Sequence, residues 1–454
     1  MWELKVTDFG PIKEARVKFR PLTIFIGANN TGKSYMAQLA YALRGLFLSF
    51  PWYAEWLYSR AQTNEELESV LAESLRNKRA ISLSELPAKL RQAVEAAVEE
   101  SFESFGTEAH RELERCFGAS VGDLLRAGAR SFSIQLSQDS PLFRACLVLE
   151  NGQLRLSEKQ WDQQLDLKRA GPSESWFYHP VRLWGFWRPY ARVRRESVHY
   201  LPAARSGILH GHKALASFAI RQLPRIGIES FEIPRLSGVV ADFLGRLLEI
   251  GPERRQGSVT DVAEFLENEV CGGEIDIERA DPELPYPEFH YKQNGLKLPL
   301  HRTSSMVSEI APIVLFLRYV VRPKDLVIIE EPEAHLHPDH QLSLARAVAR
   351  LVRREVMVVV TTHSDYLLHK FSNLVQKSRA SLPKQKVRSG GHEALKSQEV
   401  SVYLFKARSR REGSTAEELK VTETEGIPQD EFVRVAEELY DETVDLERRY
   451  SKFQ

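Results

Sequence analysis

Gly27-Ala28-Asn29-Asn30-Thr31-Gly32-Lys33-Ser34 reads G-x-x-x-x-G-K-S. Before it runs Leu22-Thr23-Ile24-Phe25-Ile26, an apolar, partly β-branched run with the look of a buried strand. After it, Tyr35 to Leu43 carries helical periodicity. Strand, glycine loop and helix start are the setting in which this spelling cradles phosphate. The glycines let the backbone wrap round a phosphate chain, and free N–H groups at the helix N-terminus point at it. A chance glycine-rich turn is the competing explanation, and the flanks argue against it. The candidate nucleotide-binding residues are therefore Gly27, Asn29, Asn30, Thr31, Gly32, Lys33 and Ser34. Lys33 would reach the β- and γ-phosphates of ATP, and the Ser34 hydroxyl would bind Mg²⁺.

A second stretch completes the pattern. Asp325-Leu326-Val327-Ile328-Ile329-Glu330-Glu331 is a hydrophobic strand ending in two carboxylates, as a Walker B strand does. Glu330 stands where Asp is usual and would hold Mg²⁺ directly or through water. Glu331 would orient or deprotonate the attacking water. A buried strand with a solvated acidic turn is the bland alternative. Pro332-Glu333-Ala334-His335-Leu336-His337-Pro338 follows, and Val356 to Thr362 forms another buried strand with His363 at its tip. His363 could lie beside a γ-phosphate. It could also be a capping histidine, or join His335, His337 and His340 in a zinc site. Upstream, Thr303-Ser304-Ser305 precedes the apolar run Ile310 to Leu317, which reads as a helix N-terminus able to bind phosphate, with a plain N-cap as its rival. Pro312 complicates where that helix begins.

Composition sets bounds. The chain has 454 residues, 43% of them hydrophobic, enough for a substantial core and two or three domains. Lys+Arg and Asp+Glu each number 62, so no global basic field announces nucleic acid. Three scattered cysteines form no CxxC and point to a reduced, cytoplasmic setting. No apolar run reaches the roughly 18–20 residues of a membrane span, so no membrane partner is expected.

Residues 2–26 alternate as two or three strands feeding the glycine loop. Residues 63–76 and 85–105 read as amphipathic helices, and 131–157 as a short meander. Residues 176–190 are the most aromatic segment and lead into Arg192, Arg194 and Arg195; a packed loop, a protein-partner surface and nucleic-acid stacking remain open. Helices are expected over 236–250 and 259–270, and strands at 274–277, 288–291 and 400–405. A helix is expected from about 429. The basic loop at 370–396 is a solvated segment or a phosphate-backbone contact.

Phosphate loop, serine-headed helix, Glu-Glu strand, Pro-Glu-x-x-x-His-Pro loop and strand-tip histidine occur in this order. That order resembles the ABC-type ATPase heads of the SMC, RecF and OLD-like group, often classed with AAA-family ATPases. Phe9-Gly10-Pro11-Ile12 and the Pro21–Ser34 segment match that group closely. The resemblance covers roughly 1–50 and 197–410. It implies an α/β fold: a P-loop NTPase of ABC-ATPase head type, a mixed sheet with flanking helices, carrying a mainly helical insertion. The expected division is 1–50 and 197–410 as the two parts of the head, 51–196 as the insertion, and 411–454 as a C-terminal helical extension. Phosphate loop and Glu-Glu strand lie about 300 positions apart, which itself supports an insertion.

The resemblance further implies a head-to-tail homodimer, or a higher homo-oligomer, with two ATPs between subunits. Ser304 and Ser305 would touch ATP in trans, His363 would sense its γ-phosphate, and Glu333 to His337 would cross the interface. The LSGGQ spelling of transporter subunits is absent, and no Q-loop glutamine can be placed; Gln135 lies in a plausible strand. No DxD pair marks a nuclease in cis. Three uses compete: a DNA-associated ATPase in repair or anti-phage defence, a switch controlling a separately encoded effector such as a nuclease or toxin, and, least favoured, a transporter subunit.

Overall fold

The computed structural model describes residues 2–49, 81–82, 84, 88–139, 142–161, 164–165, 196–211, 236–251, 257–279, 287–380, 393–409 and 412–450. The expected helix at 63–76, the aromatic segment 176–190 with its arginines, and the middle of the basic loop lie outside them.

The strands are β1 (Trp2–Phe9), β2 (Ile12–Phe19), β3 (Leu22–Gly27), β4 (Ile81–Ser82), β5 (Ser133–Asp139), β6 (Leu142–Glu150), β7 (Gln153–Trp161), β8 (Gln164–Leu165), β9 (Val198–Leu201), β10 (Glu274–Arg279), β11 (Pro287–Gln293), β12 (Leu296–Pro299), β13 (Leu326–Glu330), β14 (Met357–Thr361), β15 (Val400–Ser409) and β16 (Gly413–Leu419). The helices are α1 (Lys33–Ser49), α2 (Ala88–Phe117), α3 (Gly238–Leu248), α4 (Thr260–Leu266), α5 (Ser305–Tyr319), α6 (Pro338–Arg353), α7 (Asp365–Ala380) and α8 (Asp430–Tyr450).

The fold is mixed α/β. One 11-stranded sheet runs β7-β6-β5-β1-β2-β16-β15-β3-β14-β13-β9. From β15 to β9 every neighbouring pair is parallel. From β7 to β2 every pair is antiparallel. The two halves read differently in sequence for a physical reason. β3 and β13 are buried along nearly their whole length, because helices cover both faces, so they are continuous apolar runs. β2 alternates, with Ala15, Val17 and Phe19 buried and its lysines and Arg16 out.

Successive residues of the central strands enter opposite cores. Val327 and Ile329 join a core with α4, α5, α6 and α7, while Leu326 and Ile328 join another with α1 and α2. In α2, Phe102, Phe105, Ala109, Leu113 and Cys116 recur every three or four residues and are all buried, a stripe laid on α1 and β7.

The sheet crosses two of the expected boundaries. Leu136 of β5 pairs with Leu4 of β1, so the 133–161 meander extends the main sheet rather than a separate helical insertion. β16 falls in the stretch expected to be helical and lies between β2 and β15. The sheet's unpaired backbone groups recruit it, although Gly413-Ser414-Thr415-Ala416-Glu417-Glu418 has little strand propensity of its own. α2 runs well past the expected end near 105. α5 also passes straight through Pro312. The proline removes one helical hydrogen bond, and burial of every residue from Val307 to Arg318 outweighs that loss.

Candidate functional site

β3, β14 and β13 are parallel neighbours, with Phe25 opposite Thr361 and Thr361 opposite Glu330. Their C-terminal ends therefore open on one edge, where ligands of parallel α/β sheets bind. Neighbouring strands are ~4.8 Å apart, so β3 and β13 flank a gap of about 10 Å with β14 at its middle. Gly27 and the phosphate loop leave β3, His363 follows β14, and Glu330 and Glu331 end β13.

Two glycines in the loop are required by geometry. Gly27 has φ +130°, and a Cβ there would lie 2.2 Å from the Phe405 carbonyl oxygen of β15. Gly32 has φ +95°, and its Cβ would meet Ile12 Cγ1 at 2.5 Å. Asn30 also takes a positive φ, which asparagine tolerates better than most residues. Asn29 and Asn30 are exposed, while Thr31 is buried and donates from its hydroxyl to the Ala28 carbonyl at 2.8 Å. Ser414 Oγ of β16 donates to the Thr31 carbonyl at 2.6 Å, tying the loop to the sheet.

Lys33 begins α1 and is only 6% exposed. Its Nζ donates to the Gly27 and Ala28 carbonyls at 2.9 and 2.7 Å. Burial pulls its pKa down to about 8, against the opposing pull of the Glu331 and Glu333 carboxylates. The first turn of α1 carries no acidic side chain, which leaves the positive helix end uncancelled.

Glu330 is buried, and burial raises its pKa. The Ser34 and Tyr200 hydroxyls favour its ionised form, yet its Oε1 has no hydrogen-bond partner. A hydroxyl and a carboxylate with an orphaned oxygen are hard donors that fit a divalent cation. Glu331 has φ +40°, unusual for a residue with a side chain. Its N–H donates to the Thr361 carbonyl at 3.0 Å, and its side chain is 45% exposed. Glu331 Oε1 lies 3.8 Å from His363 Nε2. Burial, and then the charge of Lys33, lower the His363 pKa against the pull of the Glu331 carboxylate, and that lowering favours the neutral imidazole.

Two side chains beyond the candidate site residues shape this edge. Glu333 folds inward: its Oε1 accepts from Thr362 Oγ1 at 2.6 Å and from the His363 N–H at 2.8 Å. Arg205 is wholly buried behind β13 and donates to the Glu330 and Glu331 carbonyls at 2.6 and 3.1 Å. The only signal for Arg205 was an arginine directly after the apolar Leu201-Pro202-Ala203-Ala204.

Other candidates are placed apart. Ser304 caps α5, accepting from the Val307 N–H at 3.3 Å, and Ser305 begins the helix. Both are exposed, and no hydrogen bond joins them to the Lys33 cluster. The histidines do not converge: His337 bonds Asp339, His340 bonds the Glu269 carbonyl, and among the described residues no group of three His, Cys, Asp or Glu could hold a metal. Gln135 sits in β5, five strands from β3, or about 24 Å at ~4.8 Å per strand.

Residues 236–368 match the family profile described as an AAA ATPase domain. That span contains Ser304, Ser305, Glu330, Glu331, Glu333 and His363, and it excludes the phosphate loop and Arg205. Among curated proteins none matches the sequence. Several solved structures are similar. An Smc head domain from Pyrococcus furiosus, bound to the C-terminal domain of ScpA, aligns at TM-score 0.40 and 13% identity over 97% of this chain and 100% of that one. An SMC head domain from Thermotoga maritima aligns at 0.36 and 11%, over 92% and 98%. The recombination mediator protein RecF aligns at 0.36 and 9%, over 92% and 97%. Among the described residues no helix is long and apolar enough to cross a membrane.

Proposed function

We propose that the chain binds ATP on the 27–34 loop and hydrolyses it, and that two copies close head to tail on two nucleotides. One observation carries the reading: a buried lysine, a half-exposed carboxylate and an imidazole gather at the ends of three adjacent parallel strands. The AAA ATPase match over 236–368 is in accord with it.

In this reading the loop N–H groups and the end of α1 hold the phosphates, and protonated Lys33 neutralises charge on the β- and γ-oxygens. Glu331 accepts a proton from, or orients, a water in line with the γ-phosphorus. Neutral His363 donates from its ring N–H to the γ-phosphate, and Glu333 holds the backbone that carries it. Ser34 and Glu330 would hold Mg²⁺, whose charge supports the same phosphates. Ser304 and Ser305 complete the site of the second subunit. Their exposure at a helix N-terminus suits that role, since such an end has N–H groups to spare.

We assign the cycle to a DNA-related or anti-phage defence process on the sequence resemblance. Control of a separately encoded effector is the alternative. ATP hydrolysis stimulated by DNA, with a steep salt dependence, supports the first use, and co-purification of a neighbouring gene product without DNA supports the second.

The test is the solution mass of Glu331→Gln by light scattering, with and without ATP and Mg²⁺. The mass is expected to double with ATP, and Lys33→Ala or Ser305→Arg is expected to abolish the doubling. A mass indifferent to ATP, with binding demonstrated, would sink the head-to-tail dimer.

A further inference from the structure

We propose that Arg205 is the positioning residue for Glu331, holding the carboxylate's backbone in the one conformation that aims it at the nucleotide edge. The proposal rests on the ATPase reading above and deepens it.

Arg205 has no solvent exposure. Its Nη1 donates to the Pro202 carbonyl at 3.0 Å and to the Glu330 carbonyl at 2.6 Å. Its Nη2 donates to the Glu331 carbonyl at 3.1 Å. Its Nε donates to the Glu309 carbonyl at 3.2 Å and lies 3.2 Å from Glu309 Oε2. Glu309 is buried in α5, and its Oε1 accepts from Ser206 N–H and Oγ. The guanidinium thus joins three pieces of chain: the turn after β9, helix α5, and the end of β13.

Its effect on Glu331 is specific. The peptide before Cα331 is held by the Glu331 N–H on Thr361 and by Arg205 on the Glu330 carbonyl. The peptide after it is held by Arg205 on the Glu331 carbonyl. With both peptides held, φ and ψ of Glu331 are restrained, and φ is +40°. An unfavourable backbone conformation persists only where its surroundings over-determine it. The Cα–Cβ direction is then set, and the carboxylate stands toward Lys33 and His363. Packing alone would not need this arrangement, since an apolar side chain could fill the same volume. Lysine cannot replace it, because a single ammonium lacks the planar fork that reaches consecutive carbonyls.

The experiment compares the full-length chain with Arg205→Lys, Glu331→Gln and the double variant. Steady-state hydrolysis of Mg²⁺·ATP, binding of a fluorescent ATP analogue and thermal melts are measured for each. Arg205→Lys is expected to lower kcat about 10²-fold, the scale of a small misplacement of a reacting group. KM and analogue affinity are expected to stay within about threefold, because the phosphate loop is untouched. In the Glu331→Gln background, Arg205→Lys should add no further loss, since it acts through Glu331. Unchanged kcat per folded molecule, or an equal loss in both backgrounds, overturns the proposal. If Arg205→Lys fails to fold, Glu309→Gln replaces it. That variant keeps the volume, removes the arginine's charge partner, and is held to the same non-additivity. Wild-type hydrolysis that Lys33→Ala does not abolish sinks the ATPase reading and this one with it. Hydrolysis that depends on Lys33 but ignores Arg205 sinks this one alone.

Discussion

At the scale of single residues, Lys33 controls affinity through its proton. Burial holds its pKa at about 8 in the free protein, and phosphate favours the charged form. Above about pH 8 binding must take up a proton, so the Kd for ATP should rise toward tenfold per pH unit, and below about pH 7 it should be flat. Lys33→Ala should bind weakly with no such slope. Titration with a fluorescent analogue between about pH 6.5 and about pH 9.5 decides it. Gly27 makes a second prediction. Alanine there would place its Cβ 2.2 Å from the Phe405 carbonyl at a φ that side chains rarely adopt. The cost should be roughly 2–4 kcal/mol, seen as a lower denaturation midpoint together with lost nucleotide binding. The glycine was legible as part of the motif. Its contact with β15 was not, because Phe405 lies far along the chain.

At the scale of elements, β16 supports the phosphate loop. Ser414 Oγ reaches both the Thr31 and Pro11 carbonyls, at 2.6 and 3.2 Å. Ser414→Ala removes both contacts while leaving the backbone bond from the Ser414 N–H to Pro11. It should cost about 1–2 kcal/mol by chemical denaturation and raise the KM for ATP by a few-fold, about the worth of one or two hydrogen bonds. The central strands announced themselves because both faces are covered, so apolarity is unbroken. β16 could not, since its residues are small or charged and its place is set by partners on either side. α5 was legible from its serines and apolar run, though Pro312 obscured its continuity. That continuity comes from packing on both faces and not from propensity.

At the scale of the whole molecule, the antiparallel meander and the nucleotide edge share one sheet and one core. Leu147 of β6 is fully buried in the cluster that also holds Phe105 of α2, Met36 of α1 and Val359 of β14. Leu147→Ala should destabilise by about 2–5 kcal/mol. Melting should stay a single transition, shifted down, and ATP should raise its midpoint in the variant as in the parent. A separate early transition that ATP does not move would make 133–161 an independent unit. The sequence by itself determined the chemistry on offer: a phosphate loop, a strand ending in two carboxylates, and a histidine at a strand tip. Each of these is local, encoded in a few consecutive residues whose side chains and backbone freedom act together. The tertiary structure alone decided which strands are neighbours, that 133–161 belongs to the main sheet, and that Glu333 and Arg205 stand behind His363 and Glu331. Those depend on pairings distant in sequence, from 29 positions for Glu333 to 125 for Arg205, where a hydrogen-bond partner leaves no mark on the residues beside it.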